Sequence, residues 1–162
     1  MNASGALLSR PLPVVYFLYL PAISADPQDE ADSAGEMPCF GTETILLVDD
    51  ENFVRDLGER ILRRAGYTVL TATNGSALEL YDRKRRDIAL VILDLIMPSM
   101  GGRECLGELV RLDPEARILV ASGYAADAAI TDCLATGAKG FVSKPFKMKE
   151  LLRQVRRVLD EA

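Results

Sequence analysis

Polar side chains follow four apolar stretches of this chain, each at the point where the stretch ends. They are Asp49 and Asp50 after the first stretch, Asp94 after the second, Ser122 after the third and Lys144 after the fourth. Oxygen donors without histidine favour magnesium or manganese over softer metals, and a carboxylate can be a nucleophile. A lysine offers phosphate oxygens a mobile positive charge, and a serine hydroxyl can donate to them. The set therefore suits phosphoryl transfer, which depends mainly on positioning and charge stabilisation.

Five β-rich apolar runs alternate with five stretches of helical periodicity after residue 43. Continuous apolar runs are typical of strands buried on both faces, and their alternation with helices favours a parallel sheet with right-handed crossovers. The sequence therefore predicts a doubly wound α/β fold with the polar residues together at the carboxyl edge of the sheet. The predicted strands are 44–48, 67–72, 87–94, 116–122 and 138–144, and the predicted helices are 53–66, 75–86, 102–114, 126–137 and 147–162.

Each of these polar residues also has an ordinary structural explanation. The aspartate pair could cap the following helix, and Asp94 could begin the turn before Pro98. Ser122 could belong to a plain loop, and Lys144 could be a solvated surface residue. Their shared position at the ends of predicted strands favours a functional site over five independent accidents.

Composition limits the kinds of protein that this chain can be. It has 162 residues, of which 49% are hydrophobic and 27% charged, with a formal net charge of −5 and no histidine. That length suits one domain with additional sequence, and the acidic balance argues against non-specific nucleic-acid binding. The cysteines form no CxxC pair, which argues against a disulfide framework or a zinc site and favours a reducing cytoplasm. They are Cys39, Cys105 and Cys133.

Residues 1–43 differ in character from the rest of the chain. The apolar segment at 11–23 contains three prolines, and it is shorter than the roughly 20 apolar residues that span a bilayer, so we expect no membrane insertion. A signal peptide is an open alternative. Residues 24–43 are acidic and rich in Pro, Gly and Ser, which is typical of a linker. We therefore expect a folded domain at 44–162, preceded by an apolar segment and a linker.

Four segments of the folded part resemble the motifs of the bacterial response-regulator receiver domain of two-component systems. They are "ILLVDDE", "VILDLIMPSMGG", "ILVASGY" and "GFVSKPF". The resemblance covers residues 44–162 and implies a flavodoxin-like sheet of strand order 2-1-3-4-5. It implies a cytoplasmic signalling domain that takes a phosphoryl group from a histidine kinase or a histidine phosphotransfer protein. Such a domain catalyses only its own phosphorylation and dephosphorylation and binds no nucleic acid. A phosphorylation-dependent dimer is a further possibility.

The same resemblance assigns the phosphoacceptor and the metal ligands. Asp94 would accept the phosphoryl group, and magnesium or manganese would lie beside it. The metal ligands would be Asp49, Asp50 and Asp94, with the backbone carbonyl of Ile96 as a further protein ligand. Aspartyl-nucleophile phosphatases, a rival class, carry an acid two positions after the nucleophile. Ile96 occupies that position here and cannot carry a proton, which argues against turnover of an external substrate.

The remaining residues would bind the phosphoryl group and transmit its presence. Lys144 would pair with the phosphoryl group, and Ser122 would shift to bind it. Phe141 would be the aromatic switch residue whose rotamer follows the serine, although a core aromatic also suits that position. Ile96 and Tyr124 would flank the phosphoryl group and hinder attacking water. The result would be a changed protein-interaction face on the fourth helix, fifth strand and fifth helix.

The amino-terminal segment carries a resemblance of its own. "VVYFLYLPA", followed by an acidic linker, is similar to a junction in hybrid histidine kinases, where the ATP-binding domain ends before a terminal receiver. It implies that residues 1–43 are a remnant of an upstream kinase ATP-binding domain and that the chain is the C-terminal receiver of such a kinase. An apolar peptide that docks on its own domain or on a partner is the alternative.

Overall fold

The computed structural model describes residues 40–97, 101–123 and 127–161. Within these residues five strands alternate with five helices, and no predicted end differs from the observed one by more than two residues. The apolar segment and most of the linker, both predicted within 1–43, lie outside the described residues, as does Tyr124. The elements are β1 (Thr44–Val48), α1 (Asn52–Arg64), β2 (Thr68–Ala72), α2 (Asn74–Lys84), β3 (Ile88–Asp94), α3 (Gly102–Leu112), β4 (Ile118–Ser122), α4 (Asp127–Thr136), β5 (Gly140–Ser143) and α5 (Met148–Asp160).

The strands form one parallel sheet in the order β2-β1-β3-β4-β5, which confirms the expected flavodoxin-like topology. The strands are in register at their carboxyl ends, so that the ends of four strands lie side by side. The pairs that fix this register are Val48 with Leu93, Asp94 with Ala121, and Ser122 with Ser143. The polar residues predicted at strand ends therefore share one edge of the sheet, as expected from the parallel arrangement.

Helices cover both faces of the sheet, and successive residues of a strand point to opposite faces. In β3, Leu90 and Ile92 pack with α1 and α5, whereas Val91 and Leu93 pack with α2, α3 and α4. All five residues of β4 are buried, while β2, at the edge, contains both buried and exposed positions. The two apolar layers explain why the inner strands are continuously apolar in the sequence.

Glycines in the left-handed region of backbone space follow two of the helices. Gly66, with φ 94°, follows α1, and Gly137, with φ 130°, follows α4. Their backbone amides donate to carbonyls of the last turn, from Gly66 to Arg63 and from Gly137 to Cys133. Other residues would be strained at these φ values, so the predicted helix ends at both glycines have a physical basis. Within the described residues, no helix is both long and apolar enough to cross a lipid bilayer.

The packing of α5 gives a direct test of this arrangement. Leu151 is fully buried against the sheet, whereas its neighbour Leu152 is half-buried. Leu151→Ala should lower the free energy of unfolding by about 2–5 kcal/mol, because it removes buried methyl groups and leaves a cavity. Leu152→Ala makes the same chemical change and should cost clearly less. Urea denaturation measures both variants, and equal losses would contradict the assignment of these two side chains.

Candidate functional site

The site lies at the carboxyl edge of the sheet, and backbone hydrogen bonds carry its residues there. The amide of Asp49 continues the ladder by donating to the carbonyl of Ala72 at 3.2 Å, and the amide of Lys144 donates to the carbonyl of Ser122 at 3.0 Å. Asp94 is the last residue of β3. Residues far apart in the sequence therefore reach the same place because the parallel ladder extends just beyond the ends of the strands.

The ammonium of Lys144 makes two ion pairs at the centre of the site. Its Nζ lies 2.6 Å from Asp49 Oδ2 and 2.9 Å from Asp94 Oδ2, and all three side chains are at most 9% exposed. Burial by itself would lower the pKa of Lys144, but the two carboxylates outweigh burial and hold the pKa above its ordinary value. Lys144 is therefore a buried ammonium, and its alternative explanation as a solvated surface residue is wrong.

Backbone amides orient the two carboxylates that share Lys144. The amide of Glu51 donates to Asp49 Oδ1 at 2.9 Å, and the amide of Ile96 donates to Asp94 Oδ1 at 3.1 Å. Each carboxylate thus has one oxygen on a turn amide and the other on the ammonium. Asp94 accepts from the amide two residues later, as an aspartate that begins a turn does, and this does not conflict with a role at the site. The N-cap of α1 is Glu51, which makes no side-chain capping hydrogen bond, so the aspartate pair precedes the cap position.

Three carboxylates of the site lie close enough together to share one cation. Oxygen atoms of Asp49, Glu51 and Asp94 all lie within 4.8 Å of one another. Lys144 pairs with Asp49 and Asp94, and Arg55 lies beside the same turn, so the three carboxylates outnumber these two cations. The cluster therefore retains excess negative charge that a divalent cation would neutralise. An all-oxygen donor set is the one that Mg²⁺ prefers, and the exposure of Glu51 leaves room for the waters that Mg²⁺ keeps. The residues therefore fit a magnesium ion.

Sequence reasoning missed Glu51, although it is the third acidic residue of "ILLVDDE" and the signal was present. Its proximity depends on the turn that bends back from the end of β1. Asp50, in the same turn, is half-buried and is not part of the close group of three. The metal roles of Asp50 and of the backbone carbonyl of Ile96 stay predictions.

Ser122 lies on β4 and Phe141 on β5, the two strands that follow β3 in the sheet. Ser122 ends β4 and is 3% exposed. Phe141 pairs with Val120 of β4, is half-buried, and packs against the apolar layer formed with α2, α3 and α4. That packing fits a core aromatic, and the switch role stays a prediction.

A glycine allows the turn after β3 to lie directly against the start of α3. A Cβ atom at Gly102 would collide with the carbonyl oxygen of Asp94 and would lie 2.5 Å from the Cα of Leu95. Only a residue without a side chain permits this close approach. Beyond the turn, the side chain of Ile96 is 59% exposed. Gly102 therefore positions the backbone on which Asp94 and Ile96 lie.

Comparison with known proteins identifies this arrangement. The profile of the response regulator receiver domain matches residues 45–156 of the chain. The chain belongs to this family. Receiver domains of CheY-like response regulators act in two-component signalling, so this chain is a signalling domain of that kind.

Two curated relatives and one solved structure illustrate the relationship of this receiver domain. The chemotaxis protein CheY of Thermotoga maritima is 36% identical over 116 residues, which cover 70% of this chain and 95% of that protein. The sensor kinase CckA of Brucella abortus is 38% identical over 122 residues, or 75% of this chain, but the matched part is only 13% of that protein. A chain of the CheX–CheY–BeF3–Mg complex from Borrelia burgdorferi is 29% identical with a TM-score of 0.71, covering 74% of this chain and 90% of that one.

The buried ammonium of this receiver domain gives a stability prediction. Lys144→Met in magnesium-free buffer should lower the free energy of unfolding by about 3 kcal/mol, because it leaves two buried carboxylates without their partner. Lys139→Met is the matched control, since Lys139 is exposed just before β5. Urea denaturation with EDTA present makes the comparison. If the two variants were equally stable, Lys144 would not be the counter-charge of the site.

Proposed function

We propose that Asp94 accepts a phosphoryl group from a phosphohistidine donor, with Mg²⁺ bound beside it. Family membership supports the class of reaction. The placement of Asp94 supports the choice of residue, since it ends the central strand β3 with one carboxylate oxygen on Lys144 and the other on a turn amide. A carboxylate so oriented can act as a nucleophile without a change of backbone.

In the proposed reaction one phosphoryl group moves between two side chains. An oxygen of Asp94 attacks phosphorus and forms an acyl phosphate, while the phosphorus–nitrogen bond of the donor breaks and its electron pair stays on the imidazole. Lys144 already touches Asp94 and can follow the charge onto the phosphoryl oxygens. The hydroxyl of Ser122 donates to the same group. Bound Mg²⁺ supplies neutralisation of the phosphoryl charge.

The proposed metal ligands are Asp49, Asp50, Asp94 and the backbone carbonyl of Ile96. The convergence of Asp49 and Asp94 with Glu51 supports a cation at this place, and the oxygen donors favour Mg²⁺ with Mn²⁺ as the alternative. The name of the related Borrelia burgdorferi complex includes Mg together with BeF3. We infer that the phosphorylated form is hydrolysed within the domain and that no external substrate is turned over.

We infer that phosphorylation changes the face formed by α4, β5 and α5. Ser122 pairs with Ser143, and the amide of Lys144 donates to the carbonyl of Ser122. A shift of Ser122 would therefore displace the end of β5. Phe141 lies in the same strand and would follow that shift. The partners would be a histidine kinase or phosphotransfer protein, and a second phosphorylated copy in the case of a dimer. The acidic net charge supports a function without nucleic acid.

We further propose that the chain is the C-terminal receiver of a hybrid histidine kinase, with residues 1–43 derived from its ATP-binding domain. The match to a small part of the sensor kinase CckA supports this placement. A phosphohistidine donor and the absence of CxxC pairs from the sequence support a cytoplasmic location. The genomic sequence upstream of Met1 tests the proposal: an in-frame ATP-binding domain would support it, and a stop codon directly upstream would contradict it.

Acetyl phosphate tests the phosphoacceptor directly. Incubation with acetyl phosphate and Mg²⁺ should add the mass of one phosphoryl group to the wild type and to Asp87→Asn, which alters an exposed carboxylate at the other end of β3. Asp94→Asn should gain no mass, because its side chain is not a nucleophile of comparable strength. Intact-mass spectrometry measures all three proteins. A phosphoryl adduct on Asp94→Asn equal to that on the wild type would rule out Asp94.

The exposed side chain of Ile96 is expected to lengthen the life of the phosphorylated form. Ile96→Asn should raise the first-order rate of dephosphorylation several-fold, because a polar side chain beside the site admits and orients water that isoleucine excludes. Leu134→Asn, at an exposed position of α4, is the matched control and should leave the rate unchanged. Loss of phosphoprotein over time measures both rates. Identical decay in the two variants would show that Ile96 does not screen the site.

A further inference from the structure

Arg55 is a cation beside the acidic site that the proposed reaction does not use. Its half-buried side chain turns back from α1 towards the end of β1. Arg55 Nη1 donates to the carbonyl oxygen of Asp49 at 2.6 Å, and Nη2 donates to Asn52 Oδ1 at 2.7 Å. The guanidinium is a rigid planar fork, so these two bonds fix its orientation. Arg55 thus links the first turns of α1 to the strand end that carries Asp49.

Hydrogen bonds hold the backbone of Asp49 on both sides. Its amide donates to Ala72 of β2, and its carbonyl accepts the charge-assisted bond from Arg55. One carboxylate oxygen then accepts from the amide of Glu51. Glu51 makes no side-chain capping hydrogen bond, and its carbonyl accepts the amide of Arg55 at 3.0 Å as the first bond of α1. The guanidinium of Arg55 adds a second link between α1 and this turn.

We propose that Arg55 is a positioning residue for the magnesium site. By bonding to the Asp49 carbonyl it fixes the turn at 49–51, in which Asp49 and Glu51 bring their carboxylates within 4.8 Å of that of Asp94. Arg55 acts through these residues and does not itself bind the metal. The proposal rests on the proposed function, because it concerns the affinity for Mg²⁺ of the same site.

Charge and positioning make opposite predictions for the loss of Arg55. A nearby cation repels Mg²⁺, so removal of Arg55 would tighten metal binding if its charge were its whole effect. If Arg55 fixes the turn, its removal frees the carbonyl of Asp49 and weakens binding, as loss of groups that orient metal ligands does. The sign of the change in Mg²⁺ affinity therefore separates the two effects.

Arg63 offers a matched control in the same helix. Its Nη2 also donates to a backbone carbonyl, that of Val69 at 3.2 Å, and its Nε donates to Glu59 at 2.7 Å. It lies eight residues along α1 from Arg55, which corresponds to roughly 12 Å of helix. Arg63→Gln removes the same charge and a comparable pair of hydrogen bonds without touching the turn at 49–51.

Calorimetric titration of the folded protein with Mg²⁺ tests the proposal. Arg55→Gln should raise the Kd for Mg²⁺ roughly 10-fold, the scale of effect for groups that support metal ligands. Arg55→Lys should lie between this variant and the wild type, because an ammonium can reach Asp49 but cannot reproduce the fork to Asn52. Arg63→Gln should bind like the wild type. Thermal unfolding of each variant shows whether it is folded at the titration temperature.

The outcomes separate this proposal from the proposed function. The positioning role is overturned if Arg55→Gln binds Mg²⁺ as tightly as the wild type or more tightly. It is also overturned if Arg63→Gln weakens Mg²⁺ binding as much as Arg55→Gln does. If Arg55→Gln does not fold, Arg55→Lys decides, since it must still bind Mg²⁺ more weakly than Arg63→Gln. If the wild type binds no Mg²⁺, the proposed function fails as well. If it binds Mg²⁺ and is phosphorylated at Asp94, only the role of Arg55 is in question.

Discussion

Asp49 and Asp94 share the buried ammonium of Lys144, and the fold has to bring these three side chains together. Taking charges out of water is costly unless their partners are close, and two carboxylates alone would repel each other. Lys144 lies 2.6 Å from one and 2.9 Å from the other. The three residues lie at the carboxyl ends of β1, β3 and β5, and β4 lies between the last two of these strands. They meet only because four strands end in register.

The two apolar layers of the sheet make that register rigid. A slip of one residue in any inner strand would turn buried side chains towards the wrong layer, and in β1 or β3 it would also displace a carboxylate of the charged group. At the point where Lys144 passes the end of β4, the neighbouring residue is the small Ser122. Gly102 lets α3 begin directly on the backbone of Asp94. The scaffold thus allows the ammonium to reach across one strand and limits the movement of the carboxylates that it contacts.

The fold could be predicted from the sequence because its signals are local and repeated. The inner strands are continuously apolar, and glycines such as Gly66 and Gly137 mark helix ends through their φ values. The grouping of Asp49, Asp94 and Lys144 followed from the rule that parallel strands end at one edge. The strand order came from the family motifs and not from periodicity.

Periodicity does not predict the other parts of the site, because they depend on turns and on the reach of side chains. Glu51 joins the carboxylates only through the bend after β1, and Arg55 reaches Asp49 from six residues away through its own rotamer. Gly102 is explained by a contact with a turn that lies several residues earlier in the chain. Periodicity contains none of these contacts, because it describes elements and not the geometry between them.

A crystal structure with Mg²⁺ and beryllofluoride, a stable mimic of the phosphoryl group, tests the central claim most directly. We expect beryllofluoride bonded to the carboxylate of Asp94, with Lys144 Nζ in contact with its fluorine atoms and Mg²⁺ in contact with the acidic turn that begins at Asp49. Beryllofluoride on a different carboxylate, or Mg²⁺ bound away from Asp49 and Asp94, would contradict the assignment of this strand edge as the phosphorylation site.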